Sequence, residues 1–465
     1  MTLESGAGEL LSRRGRMLVL VAAFLGWLCA GLLMSITSVA MQPAALDLLG
    51  RAGTLDRARF QELTRQSAPK ASEENSRPVL SESDARQLAD WRGDVQRWFA
   101  WLQCAFLFGA AAGGLLLGAL GDRIGRVKGM AVSILTYSVV AAATRWVQRP
   151  EQLLVLWFVA CLGIGGMWPN GVALVSEVWS TLSRPLAAGL IGTAANIGIF
   201  LMSTLTARVA VTPDHWRWVM DVAGAPAVLG LLALAVVPES PKWLAGRDSR
   251  RGAPVTSAAP PNPGVFRRPY LALTLLGIAL ATIPLAGGWG SANWVVPWAG
   301  EVGDAAVPPN PFLKAQVSQA RALAGIVGSL MGGWVASVVG RRRTYFLNSL
   351  ICLGAAQFTF WFLVPTDGSF LAWVALLGFF SGIYFGWLPL FLPELFPTEV
   401  RSTGAGVCFN FGRILTAVTV FATGALVSTF HGDYAAIGRV TSLIYAAGLV
   451  AAYFAPESGD GHTSG

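Results

Sequence analysis

Charged side chains are scarce in this chain. Asp, Glu, Lys and Arg together make up 13% of its 465 residues, whereas hydrophobic residues make up 54%. The mean hydropathy, +0.54, is correspondingly high. Because a water-soluble protein of this length needs far more charge to cover its surface, the shortage excludes an ordinary soluble domain. It favours a protein that resides in a membrane.

Cysteine and histidine are also few, which limits the chemistry open to the chain. The cysteines are Cys29, Cys104, Cys161, Cys352 and Cys408, and the histidines are His215, His431 and His462. An odd number of cysteines scattered through hydrophobic stretches provides neither a disulfide framework nor metal-ligand spacing. The histidines are remote from one another, and no nucleophile–base pair is visible. We therefore expect no enzyme activity, no cofactor and no metal site.

Long hydrophobic runs are abundant. A helix crosses the hydrocarbon with about 20 mainly apolar residues. Twelve stretches have roughly that length: 17–41, 98–120, 130–147, 153–176, 185–207, 218–237, 270–298, 317–339, 344–364, 369–392, 404–428 and 436–455. Uninterrupted runs suit helices rather than barrel strands, whose residues alternate. The sequence therefore predicts an all-α membrane protein with twelve transmembrane helices.

The distribution of the cations predicts the orientation of the chain. If the N-terminus is cytoplasmic, the inner loops collect most of the arginines and lysines, with clusters at 13–16, 123–128 and 341–343. This asymmetry is the positive-inside rule, and it predicts a cell-membrane protein with both termini in the cytoplasm. The net charge of +8 then reports topology, and we expect no nucleic-acid partner.

Two long polar segments divide the chain. Residues 43–97 are predicted as an outer loop, in which "SESDARQLADWRGDVQRW" begins with Ser81 as a candidate N-cap of a short surface helix. Residues 246–269 are rich in Pro, Ser, Ala and Arg, which is typical of a linker. We therefore expect a six-helix bundle at 1–245, a cytoplasmic linker at 246–269 and a second six-helix bundle at 270–465.

The two halves also match each other in sequence. Four pairs of positions recur at separations of 215 to 218 residues. They are Gly118 and Gly333, Glu177 and Glu394, Arg184 and Arg401, and Glu239 and Glu457. Nearly constant separations predict a duplicated six-helix unit, and many transporters bind substrate near the midplane between two such repeats.

Several motifs resemble those of the major facilitator superfamily. The turn "GALGDRIGRVK" at 118–128 is similar to its loop signature. "PESPKWL" at 238–244, "PELFPTEVRSTGAG" at 393–406 and "APES" at 455–458 resemble its sugar-porter and metabolite-porter branches. The resemblance implies two bundles that rock about a cavity lined by helices 1, 2, 4, 5, 7, 8, 10 and 11. It implies a small-molecule solute and a lipid bilayer as partners, and we expect a monomer.

The turns on the inner side are candidates for gating. Glycine lets helices cross closely, and Asp122 can pair with cations in a latch that breaks when the inner side opens. The alternative is a screened surface network and a positive-inside anchor. In the second half Ser337 replaces the aspartate, so another acid has to complete a latch there. The gating candidates are Gly118, Asp122, Arg123, Gly125, Arg126, Glu177, Arg184, Glu239, Gly333, Gly340, Arg341, Glu394, Arg401 and Glu457.

Charges inside the hydrocarbon are costly and indicate function. Arg321 and Arg413 fall on lining helices, whereas Asp221 falls on peripheral helix 6. Amides suit hydroxyls and carboxylates, and aromatic faces suit the apolar side of a sugar ring, although any single residue of this kind is more often a packing or membrane-interface residue. The further substrate-binding candidates are Trp168, Asn170, Asn196, Trp289, Asn293, Trp294, Tyr384, Trp387 and Asn410. The segment "GGWGSANW" at 287–294 predicts a break in helix 7.

The coupling mechanism is where the resemblance weakens. Proton-coupled relatives carry an aspartate in helix 1 and an arginine in helix 4, but this chain has Ala30 and Trp157 there. With no deep acid beside the two arginines, a negative solute would complete the charge balance. We therefore expect a carrier of a sugar or an organic anion, working by alternating access as a uniporter or with a coupled ion. The alternatives are an exporter of amphiphilic or drug-like compounds and a transporter-like solute sensor.

Overall fold

The computed structural model of the protein describes residues 11–67, 80–179, 184–252, 264–397, 400–426 and 433–456. Within these ranges every regular element is helical. The N-terminal half consists of α1 (Arg13–Val39), α2 (Met41–Arg51), α3 (Arg57–Ser67), α4 (Glu82–Ile124), α5 (Arg126–Ala143), α6 (Pro150–Val178), α7 (Arg184–Thr206), α8 (Trp218–Gly224), α9 (Ala227–Val236) and α10 (Pro241–Gly252). The C-terminal half consists of α11 (Leu271–Leu285), α12 (Val295–Ala305), α13 (Leu313–Val339), α14 (Arg341–Phe362), α15 (Phe370–Glu394), α16 (Arg401–Leu426), α17 (Tyr434–Thr441) and α18 (Ile444–Phe454).

These helices confirm the predicted all-α membrane fold. Eleven helical segments of the described chain are long and apolar enough to cross a membrane, and α7 covers the remaining predicted span. Helix 6 is built from α8 and α9, which meet at Pro226, a residue without a backbone N–H. Helix 12 is likewise built from α17 and α18, and its break at Ser442 occupies the matching place in the second half.

Glycines at matching positions let helices of each half pack closely. A Cβ atom on Gly113 of α4 would lie 1.9 Å from the carbonyl oxygen of Leu162 of α6. A Cβ atom on Gly328 of α13 would lie 2.0 Å from the carbonyl oxygen of Phe379 of α15. No side chain fits at either contact. The packing of α4 against α6, which are transmembrane helices 2 and 4, therefore matches the packing of α13 against α15, which are helices 8 and 10. This is the geometric counterpart of the sequence repeat.

The bundle has two distinct ends. One end carries the start of α1 and the turns after α4 and α13. We call it the basic end and define it by residues 13–16, 121–128 and 340–343. At the opposite end, α1 and α12 finish and α4 begins. We call that the cap end, and the cap consists of residues 41–67 and 80–97.

The cap differs from the predicted outer loop 43–97, because its described part is mostly helical. Ser81 does cap a helix, since its hydroxyl accepts a hydrogen bond from the backbone N–H of Asp84 at 3.1 Å. That helix is not a short surface helix, however, but the start of α4, which runs for 43 residues. At 1.5 Å per residue α4 is about 65 Å long, roughly twice the hydrocarbon thickness. Helix 2 therefore projects from the bundle and carries the cap.

The cap has a small hydrophobic core of its own. Leu49 of α2, Phe60 and Leu63 of α3, and Leu88 and Val95 of α4 are buried against one another. These residues recur at helical spacing within a segment rich in charge, so each helix buries one apolar face. The cap is therefore a packed unit.

A buried carboxylate anchors the cap to the rest of the N-terminal half. Asp47 is fully buried, and it accepts a hydrogen bond from Nε1 of Trp216 at 3.0 Å. It also pairs with Arg51 at 3.0 Å, Arg57 at 3.3 Å and Arg217 at 2.7 Å. Because a buried charge is tolerated only when it is paired and hydrogen-bonded, this cluster fixes the position of α2 against the start of α8.

Candidate functional site

A cavity lies between the two halves. Six of the predicted substrate-binding residues line it: Trp168, Asn196, Trp289, Asn293, Arg321 and Arg413. They come from α6, α7, the break in helix 7, α13 and α16. Both halves therefore contribute to its wall.

Helix 7 is broken where the sequence predicts it. A π-helical turn over Ala286–Ser291 is followed by a 3-10 turn over Ala292–Trp294. Arg321 of α13 donates to the carbonyl oxygen of Gly288 at 3.1 Å and to Oδ1 of Asn293 at 3.2 Å. Asn293 in turn donates to Oε1 of Gln103 of α4 at 3.0 Å. Arg321 thus stabilises the carbonyl groups that the break frees, and Asn293 connects the two halves.

Arg413 is held more loosely than Arg321, although it is only 8% exposed. Its Nη1 donates to the carbonyl oxygen of Ala110 at 3.3 Å, and its guanidinium lies 4.8 Å from the ring centre of Phe409. A guanidinium has five N–H donors, so one carbonyl satisfies only a small part of its capacity. No Asp or Glu is among the described residues that line the cavity.

Aromatic pairs form much of the apolar wall. The rings of Trp27 and Trp168 lie 4.9 Å apart, and those of Phe106 and Trp289 lie 4.4 Å apart. Sequence reasoning missed Trp27 and Phe106, because neither has a polar neighbour that distinguishes it from the other apolar residues of α1 and α4. Flat aromatic faces of this kind suit a flat apolar solute.

Three predicted binding residues instead make local contacts outside the cavity. The Asn170 amide donates to the carbonyl oxygen of Leu117 at 3.0 Å, which joins α6 to α4. The Asn410 amide donates at 3.0 Å to the carbonyl oxygen of Gly406, one turn earlier in α16. Nε1 of Trp294 donates to the carbonyl oxygen of Gly290 at 3.1 Å. Their N–H donors satisfy backbone carbonyl groups, whereas the Oδ1 atoms of Asn170 and Asn410 are buried without a hydrogen-bond partner within the described chain. A role of these three residues in substrate binding stays a prediction.

Tyr384 and Trp387 also lie outside the cavity. Their rings pack against Tyr345 of α14, at centroid distances of 5.1 and 6.3 Å. The Tyr384 hydroxyl hydrogen-bonds to that of Ser349 at 2.5 Å. This face of α15 is therefore used for packing within the C-terminal half.

At the basic end of the N-terminal half, Arg126 is the centre of the charge cluster. The Nε atom of Arg126 lies 3.1 Å from Oε1 of Glu177, and Arg126 also pairs with Asp122. The neighbouring Arg123 is exposed. Glu239 accepts a hydrogen bond from the backbone N–H of Arg126 at 3.0 Å, and so caps α5. The cluster thus joins helices 2, 3 and 4 to the segment after helix 6.

The C-terminal half repeats part of this cluster. Arg341 lies 2.8 Å from Glu394, as Arg126 lies beside Glu177. Arg401 donates to the carbonyl oxygen of Phe396 at 3.2 Å. Partial burial raises the pKa of Glu394, against the opposing effect of Arg341 and Arg401. Glu394 is thus the acid that meets the cationic turn lacking an aspartate at Ser337.

Two of the predicted gating residues fall outside this description. The side chain of Arg184 and all of Glu457 lie outside the described residues. Their predicted roles stay predictions.

The gating glycines divide into two groups. Gly125 and Gly340 have φ angles of +118° and +90°, which favour glycine and set the turns into α5 and α14. A Cβ atom on Gly118 would lie 3.3 Å from Pro169, which is a tight contact. A Cβ atom on Gly333 would meet nothing within 4 Å. Gly333 therefore makes no close helix contact in this structure, and its role in gating stays a prediction.

One ion pair and two hydrogen bonds join the two halves at the cap end. Arg92 of α4 is 2.8 Å from Glu301 of α12, and Gln42 of α2 donates to the hydroxyl of Tyr434 of α17 at 3.4 Å. Lys314 of α13 donates to a carbonyl of the segment before α8. At the basic end, each ion pair of the described chain joins residues of one half. The structure is thus closed at the cap end.

Two six-helix halves around a central cavity, with a broken helix at that cavity, define a membrane carrier of solutes. The family comparison agrees: the chain belongs to the Major Facilitator Superfamily, whose family model matches residues 94–420. A solved structure of a D-xylose-proton symporter has the same fold, with a TM-score of 0.62 and 15% sequence identity. The match covers 95% of this chain and 98% of that one.

The curated relatives transport metabolites. A cis,cis-muconate transport protein of Acinetobacter baylyi is 27% identical over 360 residues, which cover 76% of this chain and 83% of the relative. A probable 4-methylmuconolactone transporter of Cupriavidus pinatubonensis is 29% identical, covering 75% and 79%. A niacin transporter of Acinetobacter baylyi is 26% identical, covering 68% and 75%. The chain is therefore a solute transporter.

Proposed function

We propose that this transporter carries a small organic anion with at least one carboxylate, by alternating access between its two halves. The observation that carries the proposal is the charge of the cavity. Arg321 and Arg413 line it, and none of the described lining residues is acidic.

The charge of Arg413 is the main argument for a carboxylate. An uncompensated cation at this depth is costly, and its only hydrogen bond within the described chain is the one to the carbonyl of Ala110. A carboxylate can accept two parallel hydrogen bonds from a guanidinium. Binding of an anion would therefore satisfy donors that the protein leaves open.

The lining amides favour an anion over a sugar. Asn293 is already engaged with Gln103 and Arg321, and Asn196 donates to the Ser329 hydroxyl at 2.8 Å. These groups hold the two halves together, so fewer are free to bind the hydroxyls of a sugar. The names of the relatives agree with an anion, because muconate and niacin are carboxylates.

The aromatic wall indicates the shape of the anion. Trp27, Phe106, Trp168 and Trp289 provide flat apolar faces, which suit a conjugated or aromatic body. The proposed substrate class is therefore a flat, unsaturated carboxylate of small size.

We also propose an orientation in the membrane. The start of α1 and the clusters at 121–128 and 340–343 share the basic end, and cations accumulate on the cytoplasmic side of membrane proteins. In the plasma membrane, the basic end would then face the cytoplasm, and the cap would face the periplasm or the outside of the cell. The variant Gln87→Cys tests this orientation, because a cysteine in the cap should react with a membrane-impermeant fluorescent or alkylating probe that is applied from outside the cell.

The first experiment is a thermal-shift assay on the purified protein with nicotinate, cis,cis-muconate, nicotinamide and D-xylose. A ligand at a hundred times its dissociation constant stabilises a protein by about 2.7 kcal/mol. We expect nicotinate or muconate to raise the melting temperature and the neutral nicotinamide and xylose to leave it unchanged. Stabilisation by xylose alone would support a sugar carrier instead, and stabilisation only by amphiphilic compounds would support an exporter.

The second experiment places the anion at Arg413. Arg413→Ala should weaken binding of the anion about tenfold to a hundredfold, because a charge-assisted hydrogen bond is worth about 1.5–3 kcal/mol. Arg439→Ala is the matched control, since Arg439 of helix 12 lies over the ring of Trp361 of α14 and does not line the cavity. Equal affinity in both variants would remove Arg413 from the site. Uptake into proteoliposomes distinguishes a carrier from a sensor, which would bind without transport.

A further inference from the structure

A second groove lies at the basic end, on the outside of the C-terminal half. It is formed where the start of α14 meets the end of α18. Its walls are the cations Arg342 and Arg343 and the apolar residues Phe346, Leu347, Leu449 and Tyr453. It is separate from the central cavity and shares no residue with it.

The two cations of this groove have no acidic partner within the described chain. The Arg342 guanidinium lies 4.8 Å from the ring centre of Tyr453, and Arg343 is exposed. Their neighbour Arg341 is different, because it pairs with Glu394 on the other side of α14. The groove therefore holds a local excess of positive charge.

The N-terminal half repeats the helices but only part of the groove. Lys128 matches Arg343, whereas the positions that match Arg342 and Tyr453 are Val127 and Ala235. The pair of adjacent unpaired cations and the aromatic side chain beside them therefore occur together only in the second half.

The apolar part of the groove faces the lipid. Phe346 and Leu347 are 42% and 47% exposed, and Tyr453 is 69% exposed. Large apolar side chains with this exposure on a transmembrane helix contact acyl chains. Arg342 and Arg343 belong to the first turn of α14 and Tyr453 to the last turn of α18, so the cations lie at the depth of the headgroups.

We propose that this groove is a binding site for an anionic phospholipid. The phosphate accepts hydrogen bonds from the guanidinium groups of Arg342 and Arg343, and an acyl chain lies along Phe346 and Leu449. Basic pockets between transmembrane helices are suited to anionic headgroups. The inference rests on residence in the membrane and is independent of the transported solute.

The test uses the purified, delipidated full-length protein and native mass spectrometry. The probes are phosphatidylglycerol, phosphatidylcholine with the same acyl chains, and inorganic phosphate. We expect saturable binding of phosphatidylglycerol at least tenfold tighter than that of phosphatidylcholine. Equal binding of both lipids overturns the proposal. Binding of inorganic phosphate with the affinity of the anionic lipid overturns it as well, because the site would then recognise a free anion.

A pair of double variants locates the site. Arg342→Gln with Arg343→Gln should weaken binding of phosphatidylglycerol roughly 25-fold, since each cation near the surface strengthens it about fivefold. Arg13→Gln with Arg14→Gln is the matched control, because it removes the same charge from exposed residues of the same end. An equal loss in both variants overturns the proposal in favour of general attraction to the basic end. Melting temperatures without lipid establish that both variants fold.

Discussion

The ion pair between Arg92 and Glu301 should control the opening of the cap end. It is the one ion pair within the described residues that joins the two halves, with a distance of 2.8 Å. The side chains are 22% and 20% exposed, so the pair is neither fully solvated nor fully buried. Glu301→Gln removes the charge and keeps the size of the side chain.

The magnitude follows from this intermediate burial. Exposed pairs contribute about 0–1 kcal/mol, and breaking a buried pair costs about 3–5 kcal/mol. About 2 kcal/mol is therefore expected for Glu301→Gln. Because the pair is broken when the cap end opens, its loss should favour the open state by about 30-fold.

The assay is a distance measurement between spin labels on cysteines at Gln87 of the cap and Val307 of the C-terminal half. Both positions are exposed, and four of the five native cysteines are buried. Glu301→Gln should populate a longer distance that is rare in the parent protein. Glu82→Gln is the matched control, because Glu82 pairs with Arg86 inside the cap. An unchanged distance distribution, or the same change in the control, would refute the reasoning.

Two further predictions concern stability. Burial acts to raise the pKa of Asp47, but hydrogen bonds from Trp216 and Arg217 outweigh it and hold the pKa below the ordinary value of 3.8. Ionised Asp47 therefore stabilises the folded state at pH values above 3.8, the ordinary pKa that applies to the unfolded chain. This contribution to the free energy of unfolding is lost as the pH falls through the lowered pKa of the folded state. Asp47→Asn should lower the free energy of unfolding by about 3 kcal/mol at neutral pH. In thermal melts from pH 7 down to pH 3, the difference in melting temperature between the parent protein and the variant should shrink only below about pH 4. Gly328→Ala should destabilise by about 1–3 kcal/mol or more, because its Cβ would overlap the Phe379 carbonyl. Gly333→Ala should leave the melting temperature nearly unchanged, because Gly333 has open space around it. Equal decreases in melting temperature in the two variants would contradict the close packing of α13 against α15 at Gly328.

The transmembrane fold could be predicted because hydrophobic length and repetition are one-dimensional signals. The cap could not be predicted in this way, because its core is formed by short helical segments in which a few apolar residues are separated by many charged ones. Leu49, Phe60 and Leu88 are far apart in sequence and meet only when α2 and α3 fold back on α4. Ser81 was a correct capping signal, but a cap reports where a helix begins and not how far it continues.

The cavity could be predicted only in part, because the sequence does not report which way each side chain of a buried helix points. Trp168 and Asn170 are two residues apart on α6, and a helix turns by about 200° over two residues. Trp168 therefore lines the cavity, while Asn170 faces α4. On α15, Ser381 and Phe385 line the cavity, whereas Tyr384 faces α14. Helices that are apolar all round have no polar stripe that would distinguish one face from another.

The ion pairs at the basic end illustrate the same limit for charges. Glu177 pairs with Arg126, which lies 51 residues away on a different helix. Glu394 pairs with Arg341 in the same way. The gating hypothesis predicts that the two cationic turns approach each other when the basic end closes, and like charges repel more strongly as they leave water. The acids that pair with Arg126 and Arg341 would lower that repulsion, so the prediction assigns them a role in closure from within each half.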